Sequence, residues 1–425
     1  MANTKQKTKN IWKTLTIIVL DAILIFAGLE FALRIVPEKN FHPFADNPVI
    51  AAQANDQVFV TEKYLGFKLS PYFRQFQGDE VDYNKTYYIG VHNKKLQTLD
   101  EILDSLDSNR KIVLNVGDSS TTGWDSNIIT INRFYANNTT NGADFRPLSP
   151  FFRYKTYSDL LAENGLSVIN AGVPAYTSLI GKRQLRTLLR ELKSRNLRIG
   201  YVTIYFGNND SISAGNNQDK YRFPNSGFHA EVFHFVETTL LRKLHNIGRV
   251  SVADYSSNMQ GMIDICREYD VKPILIRPVI PKYWHPGLRA SGQEIEVWKA
   301  MYSDKGSKRI RDLEKALGFY ERAKGLLEHG SEQEARELLI KAQDMDYMVP
   351  RIKPSYVRAL EKIARKNNVP FVDVQSEIPL DDRTYFKDYC HPIEPANQLI
   401  TREILQRLKM DSGELRAQEL QQNTQ

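Results

Sequence analysis

The residues of this chain that could do chemistry are a serine in a tight turn and a histidine in a distant loop, with two short glycine- and asparagine-bearing stretches between them. The serine lies in Gly117-Asp118-Ser119-Ser120-Thr121-Thr122-Gly123, directly after the apolar run Ile112-Val113-Leu114-Asn115-Val116. The histidine lies in Asp388-Tyr389-Cys390-His391-Pro392. Between them come Asn170-Ala171-Gly172 and Gly207-Asn208-Asn209-Asp210. A serine hydroxyl becomes a nucleophile when a base takes its proton, a carboxylate orients that base and N–H donors receive the negative oxygen that forms. The four blocks hold candidates for every one of those parts.

These blocks must be positioned by the elements around them. From Lys111 the pattern alternates between apolar strands and amphipathic helices. Strands are predicted at 112–116, 168–170, 201–206, 273–276 and 370–374. Helices are predicted at 156–164, 183–195, 255–269, 356–366 and 396–408. Continuous apolar strands separated by helices imply a parallel sheet covered on both faces, with its site at the C-terminal strand ends. The serine turn, Gly172 and Asn209 all fall at such ends. Upstream, 59–60 and 87–91 read as short strands and 99–106 as a short helix after Thr98. Residues 127–150, rich in Asn, Thr and Pro, read as an inserted loop. One segment breaks the alternation: 311–327 and 332–344 are helical runs joined at Glu328-His329-Gly330-Ser331, spaced like one tetratricopeptide-type hairpin of about 34 residues. A single copy cannot build a solenoid, so it reads as a helical insertion, with a lid or a protein-partner surface as its functional alternative.

The N-terminus carries a different message. Residues 15–36 read LTIIVLDAILIFAGLEFALRIV, long enough at ~1.5 Å per residue to cross roughly 30 Å of hydrocarbon. Lys5, Lys7, Lys9 and Lys13 precede the run without an acid among them, which keeps the N-terminus cytoplasmic and sends the remainder outside. Glu30 and Arg34 can pair at i,i+4 near the outer end, while Asp21 sits deeper. A cleaved leader is the competing reading, but Ala52-Gln53-Ala54 comes too late after the apolar run. An amphipathic core helix is the third.

Composition excludes several classes. Forty-two per cent hydrophobic and 25% charged residues make a globular chain, and 425 residues suffice for one large domain or two ordinary ones. The formal charge is +7, a modest excess, and no nucleic-acid-binding motif accompanies it. Two cysteines, Cys266 and Cys390, exclude a disulfide scaffold. Cys266 falls in a helical core pattern and Cys390 beside the candidate histidine. The remaining seven histidines show no zinc spacing, so no metal or other cofactor is assigned.

With these blocks in view, the chain resembles the SGNH, or GDSL-type, hydrolase family over about residues 111–408. Gly117-Asp118-Ser119 with Thr121 and Gly123 matches the first block, Gly172 the second, Gly207-x-Asn209-Asp210 the third and Asp388-x-x-His391-Pro392 the last. A lone Gly-Asp-Ser is common by chance, whereas four ordered blocks at strand ends are specific. The likeness is greatest to membrane-anchored bacterial members with an inserted helical hairpin. It implies a catalytic Ser119, Asp388 and His391, with an oxyanion hole of the Ser119 and Gly172 N–H groups and the Asn209 side chain. Asp118 and Asp210 read as turn-shaping, and Trp124 as rim or core. Ala175 departs from the family, standing where a glycine is common.

The expected architecture is a three-layer α/β sandwich with a central parallel sheet of about five strands. Its parts are a basic cytoplasmic segment (1–14), a transmembrane anchor (15–36), a stalk with strand-rich lead-in (37–110), the hydrolase domain (111–410, with the hairpin at 311–344) and a polar tail (411–425). The expected activity is a serine esterase held in the inner membrane and facing the extracytoplasmic side. From that location alone, its ester would be the O-acetyl groups of an envelope or exported polysaccharide. Two rivals stand beside it. One transfers the acyl group to a sugar hydroxyl with the same triad. The other is a non-catalytic binding protein that docks a partner through the hairpin.

Overall fold

A computed structural model of the chain describes residues 18–21, 23–26, 28, 59–62, 66–69, 88–92, 95–106, 112–123, 155–212, 219, 248–282, 308–346, 351–379, 384–387 and 390–412. Two small antiparallel pairs come first, β1 (Phe59–Glu62) with β2 (Gly66–Leu69) and β3 (Tyr88–His92) with β4 (Lys95–Thr98), and α1 (Leu99–Ser105) follows. The main sheet then begins with β5 (Ile112–Gly117), which runs into the one-turn helix α2 (Ser119–Thr122). After it come α3 (Tyr157–Glu163), β6 (Ser167–Gly172), α4 (Ser178–Ser194), β7 (Ile199–Tyr205), the short α5 (Asn208–Ser211), α6 (Val252–Glu268) and β8 (Lys272–Ile276). The hairpin α7 (Lys308–Glu328) and α8 (Glu332–Met345) precedes α9 (Pro354–Asn367), β9 (Phe371–Val372) and α10 (Glu394–Ser412).

The five main strands are parallel, in the order β6-β5-β7-β8-β9. The first strand therefore sits inside the sheet, and the chain leaves it to one side for β6 before crossing to β7. That reversal opens a crevice at the C-terminal end of β5, where doubly wound sheets bind ligands. Strand pleating sends alternate side chains to opposite faces. Ile112, Leu114 and Val116 join a core with α4, α6 and α9, while Val113 joins a second core with α3 and α10. These two cores lie between the sheet and the helices on its two faces, which makes a three-layer α/β structure with five parallel strands, as the strand and helix pattern implies.

Local rules account for the element ends. Thr156 Oγ1 accepts from Asp159 N at 3.1 Å and Asp159 accepts from Thr156 N at 2.8 Å, a reciprocal cap that starts α3. Gly123, at φ 81°, closes α2 in a left-handed conformation. α4 starts five residues earlier than the 183–195 expectation, at Ser178. It runs through Gly181, where the Phe206 ring packs in the place a side chain would occupy. The last strand is shorter than expected, two residues against 370–374.

The hairpin has its own small core of Ala323, Ala335, Leu338 and Leu339, flanked by Phe319, Tyr320, Leu326 and Leu327. Its exit is tied into the sheet domain by buried polar contacts. Arg351 pairs with Asp346 at 2.8 Å, Lys353 Nζ donates to Gln343 O at 2.7 Å, and Ile352 N donates to Asn208 Oδ1 at 3.0 Å. Burial pushes Lys353 down to about 7.

Most of the apolar run at 15–36 lies outside the described residues, as do the loop 127–150, Trp124, much of the lead-in and the tail beyond 412. Residues 18–21, 23–26 and 28 are helical, and Ile18, Val19, Leu20, Ile23, Leu24 and Ile25 are each more than half exposed. Among the described residues, no helix is long and apolar enough to cross a membrane.

Gly172 ends β6 beside the backbone of α2, with no room for a methyl group: a Cβ there would strike Thr122 N and Thr121 C, which are backbone atoms that cannot swing away. Gly172→Ala is expected to lower stability by about 1–3 kcal/mol, read as a reduced urea midpoint. An unchanged midpoint would show that α2 moves freely and would overturn this packing argument.

Candidate active site

Ser119 is presented by the shortest connection a strand and helix allow. β5 ends at Gly117, and Asp118 caps α2 by accepting from Ser120 N at 2.9 Å. Thr121 N and Thr122 N both donate to Asp118 O at 3.1 Å, which closes the turn. The turn is seated on a buried polar network. Asn170 Nδ2 donates to Thr121 O at 2.9 Å, and the Tyr157 hydroxyl lies 3.2 Å from Thr121 Oγ1 and 3.3 Å from Thr203 Oγ1. Thr203 Oγ1 in turn donates to Asn115 Oδ1 at 2.6 Å. Every member is buried and bonded, which makes the turn rigid. With α2 a single turn long, its dipole adds little to Ser119, so activation must come from the base.

That base is in reach. His391 Nε2 lies 2.7 Å from Ser119 Oγ across 272 residues of sequence, within the hydrogen-bond distance a general base needs. The histidine is buried while Ser119 is half-exposed. Its loop is braced as a small hairpin: Phe386 and Pro392 form an antiparallel bridge, Lys387 N donates to His391 O and Ile393 N to Tyr385 O, both at 2.9 Å. Ser120 Oγ donates to Cys390 O at 3.3 Å, tying the nucleophile turn to the histidine loop. Cys390 Sγ lies 3.7 Å from His391 Nδ1. Asp388, the expected orienting carboxylate, lies outside the described residues.

The donors expected for an oxyanion fare differently. Ser119 N–H meets no acceptor among the described residues. Gly172 N–H is instead donated to Asn170 Oδ1 at 3.0 Å, and the glycine serves the close approach of α2 to β6. The donor expected at Gly172 is therefore already engaged. Three residues on, Ala175 holds a left-handed backbone at φ 67°, and among the described residues its N–H meets no acceptor. The departure from glycine at this position is the sequence signal that points to it, since a glycine there is what a left-handed backbone asks for. Asn209 Nδ2 donates to Tyr176 O at 3.2 Å, while its 3.5 Å separation from Asp118 Oδ2 is too long to hold the second amide hydrogen firmly.

Two buried acids shape the electrostatics. Burial pushes Asp118 up to about 6, against the Ser120 N–H bond and the His391 charge, which lower it. Asp210 accepts from Ser178 N at 3.0 Å and Ser178 Oγ at 2.5 Å, yet burial pushes it up to about 7. Both fasten loops, Asp118 the nucleophile turn and Asp210 the start of α4. Cys266 is buried in the helical core, and its thiol is pushed up to about 12, which leaves it inert. Among the described residues no group of three His, Cys, Asp or Glu is placed to hold a metal ion.

The parallel sheet, the Gly-Asp-Ser turn at its interior strand and the histidine loop thus meet in one place. No family model and no curated protein matches the chain. Among solved structures it is similar to a GDSL-like lipase from Bacteroides thetaiotaomicron, at 15% identity over 73% of this chain and 95% of that one, with a TM-score of 0.36. It is also similar to a catalytic mutant of an acetylxylan esterase from Geobacillus stearothermophilus, at 13% identity over 70% and 93%, with a TM-score of 0.31.

Because the folded state keeps Asp210 protonated up to about pH 7 while the unfolded chain ionises near 3.8, the folded state binds more protons between those values. Stability is then highest at the acid end of this window and falls as pH rises through it, by an amount on the order of 4 kcal/mol. Asp210→Asn keeps an acceptor for Ser178 and removes this titration. Its urea midpoint, followed from pH 5 to 8, is expected to fall less steeply than that of the wild type. Equal slopes would refute the assignment.

Proposed function

We propose that this protein is a serine esterase of SGNH type, anchored in the membrane by residues 15–36, that works through an acyl-serine intermediate. The observation that carries the reading is the 2.7 Å contact between Ser119 Oγ and His391 Nε2 at the C-terminal end of an interior parallel strand. A hydroxyl within hydrogen-bond distance of an imidazole, beside N–H groups that meet no acceptor among the described residues, has the parts of a nucleophile and an oxyanion site.

The steps follow from those parts. Ser119 Oγ attacks the ester carbonyl carbon as its proton passes to His391 Nε2. The carbonyl oxygen becomes negative and is received by the N–H groups of Ser119 and Ala175 and the second amide hydrogen of Asn209. The intermediate collapses with loss of the alcohol, which takes the proton from His391. Water then attacks the acyl-serine, again giving its proton to His391, and the acid leaves with Ser119 restored. Asp388, three residues before His391, is the group assigned to hold the ring with its proton on Nδ1.

The anchor and the substrate class rest on different support. Six large apolar side chains exposed on one helical stretch near the N-terminus suit lipid rather than water, and the lysines ahead of it set the catalytic domain on the outer face. An extracytoplasmic esterase meets acylated polysaccharide of the envelope, so O-acetyl groups are the proposed substrate.

Two measurements test the reading. Full-length protein in detergent is expected to hydrolyse p-nitrophenyl acetate, and Ser119→Ala or His391→Ala to lose at least about 10³-fold in kcat. Activity that survives Ser119→Ala rules out the acyl-serine route and favours the binding-protein alternative. Acetyl groups passed to an added oligosaccharide, with little free acetate, would identify the transferase instead. For the anchor, the protein is expected to stay with membranes through alkaline carbonate extraction, and release into the supernatant would refute it.

A further inference from the structure

The turn that presents Ala175 is held from behind by a buried ion pair. Arg249 binds Asp219 through two nitrogens, Nε to Oδ1 at 3.0 Å and Nη2 to Oδ2 at 2.9 Å, with both side chains buried. Its third nitrogen, Nη1, donates to Ala175 O at 3.0 Å. Asp219 Oδ2 also accepts from Thr177 Oγ1 at 2.8 Å. The pair is locked through its backbone as well: Asp219 N donates to Arg249 O at 2.8 Å and Arg249 N to Ile212 O at 2.9 Å. On the neighbouring carbonyl, Asn209 Nδ2 donates to Tyr176 O at 3.2 Å. Two successive carbonyls of the turn are thus gripped by side chains from other parts of the fold.

A buried ion pair is weak evidence of a stability device, because desolvation offsets much of the attraction. Something else must account for its place. Ala175 is an L residue at φ 67°, a conformation that persists only where its surroundings over-determine it. If the turn relaxed to negative φ, the peptide between Pro174 and Ala175 would rotate and re-aim the Ala175 N–H. We propose that Arg249, fixed by Asp219, is a positioning residue: it pins Ala175 O, so that the turn cannot relax and the Ala175 N–H stays directed as an oxyanion donor. The inference rests on the acyl-serine reading of the site. The guanidinium suits the task because its planar fork grips a carboxylate with one edge and still has a donor for the carbonyl, which a lysine ammonium cannot match.

The test uses full-length protein in detergent, with p-nitrophenyl acetate as substrate and phenylboronic acid as a probe, whose adduct on the serine mimics the tetrahedral intermediate. Arg249→Lys keeps a cation beside Asp219 and loses the fork. Asp219→Asn frees the arginine while keeping an acceptor for Thr177. Circular dichroism selects folded variants, and at least the isosteric Asp219→Asn is expected among them. Both are expected to lose about tenfold to a hundredfold in kcat, less than the loss of a whole donor. The boronate affinity should fall by the same factor, with KM within about twofold and the pH dependence of kcat unchanged. A folded variant with kcat and boronate affinity within about twofold of wild type overturns the inference, as does a loss that appears mainly in KM. Wild type without Ser119-dependent turnover or boronate binding overturns the esterase reading and this inference together.

Discussion

Two glycines side by side set the spacing on which the rest of the structure depends. Gly117 and Gly172 are register partners at the C-terminal ends of β5 and β6, and the helix that carries Ser119 lies directly against both. A Cβ at Gly117 would strike Thr121, and one at Gly172 the backbone of Thr121 and Thr122. Without that closeness, Asn170 could not reach Thr121 O, Ser120 could not reach Cys390 O, and Ser119 would not meet His391. The constraint is steric, and it is expressed through hydrogen bonds that would otherwise be too long.

Above this seat the site is built from loops that each carry few residues and many bonds. Buried polar groups are costly when unpaired, so a fully bonded network favours one geometry over its neighbours. The carboxylates of Asp210 and Asp219 each accept two or more hydrogen bonds and that of Asp118 accepts one from Ser120 N, and each fastens a different loop: the start of α4, the segment around Arg249, and the turn that carries Ser119. Acids kept in such places sacrifice solvation for order, which is the trade expected where donors must be aimed before substrate arrives.

The helical hairpin stands apart in its packing and yet meets the site at its root. Its apolar cluster is separate from both cores of the sheet domain. The chain leaving it, however, passes Arg351 and Ile352 directly over α5, where Ser211 bonds to Arg351 O and Asn208 to Ile352 N. Ile352 also fills the space where Gly207 would carry a side chain. The insertion therefore closes over the third block through two backbone groups, Arg351 O and Ile352 N, together with the Ile352 side chain.

Sequence by itself determined the class of fold and singled out the serine and histidine that the structure brings into contact. The alternation of apolar strands with amphipathic helices is a local property, written in the period of the side chains, and so five parallel strands were legible without coordinates. Ser119 and His391 were legible because their chemistry demands those residue types in loops that follow strands. What only the tertiary structure decided is which backbone groups face one another. The engagement of Gly172 by Asn170 and the left-handed backbone of Ala175, whose N–H meets no acceptor among the described residues, are set by packing, and the grip of Arg249 and Asp219 on that turn joins segments far apart in the chain. Glycine at 172 carries no mark of whether it is there to donate a proton or to make room; only the atom lying against it, Thr122 N, tells the two apart.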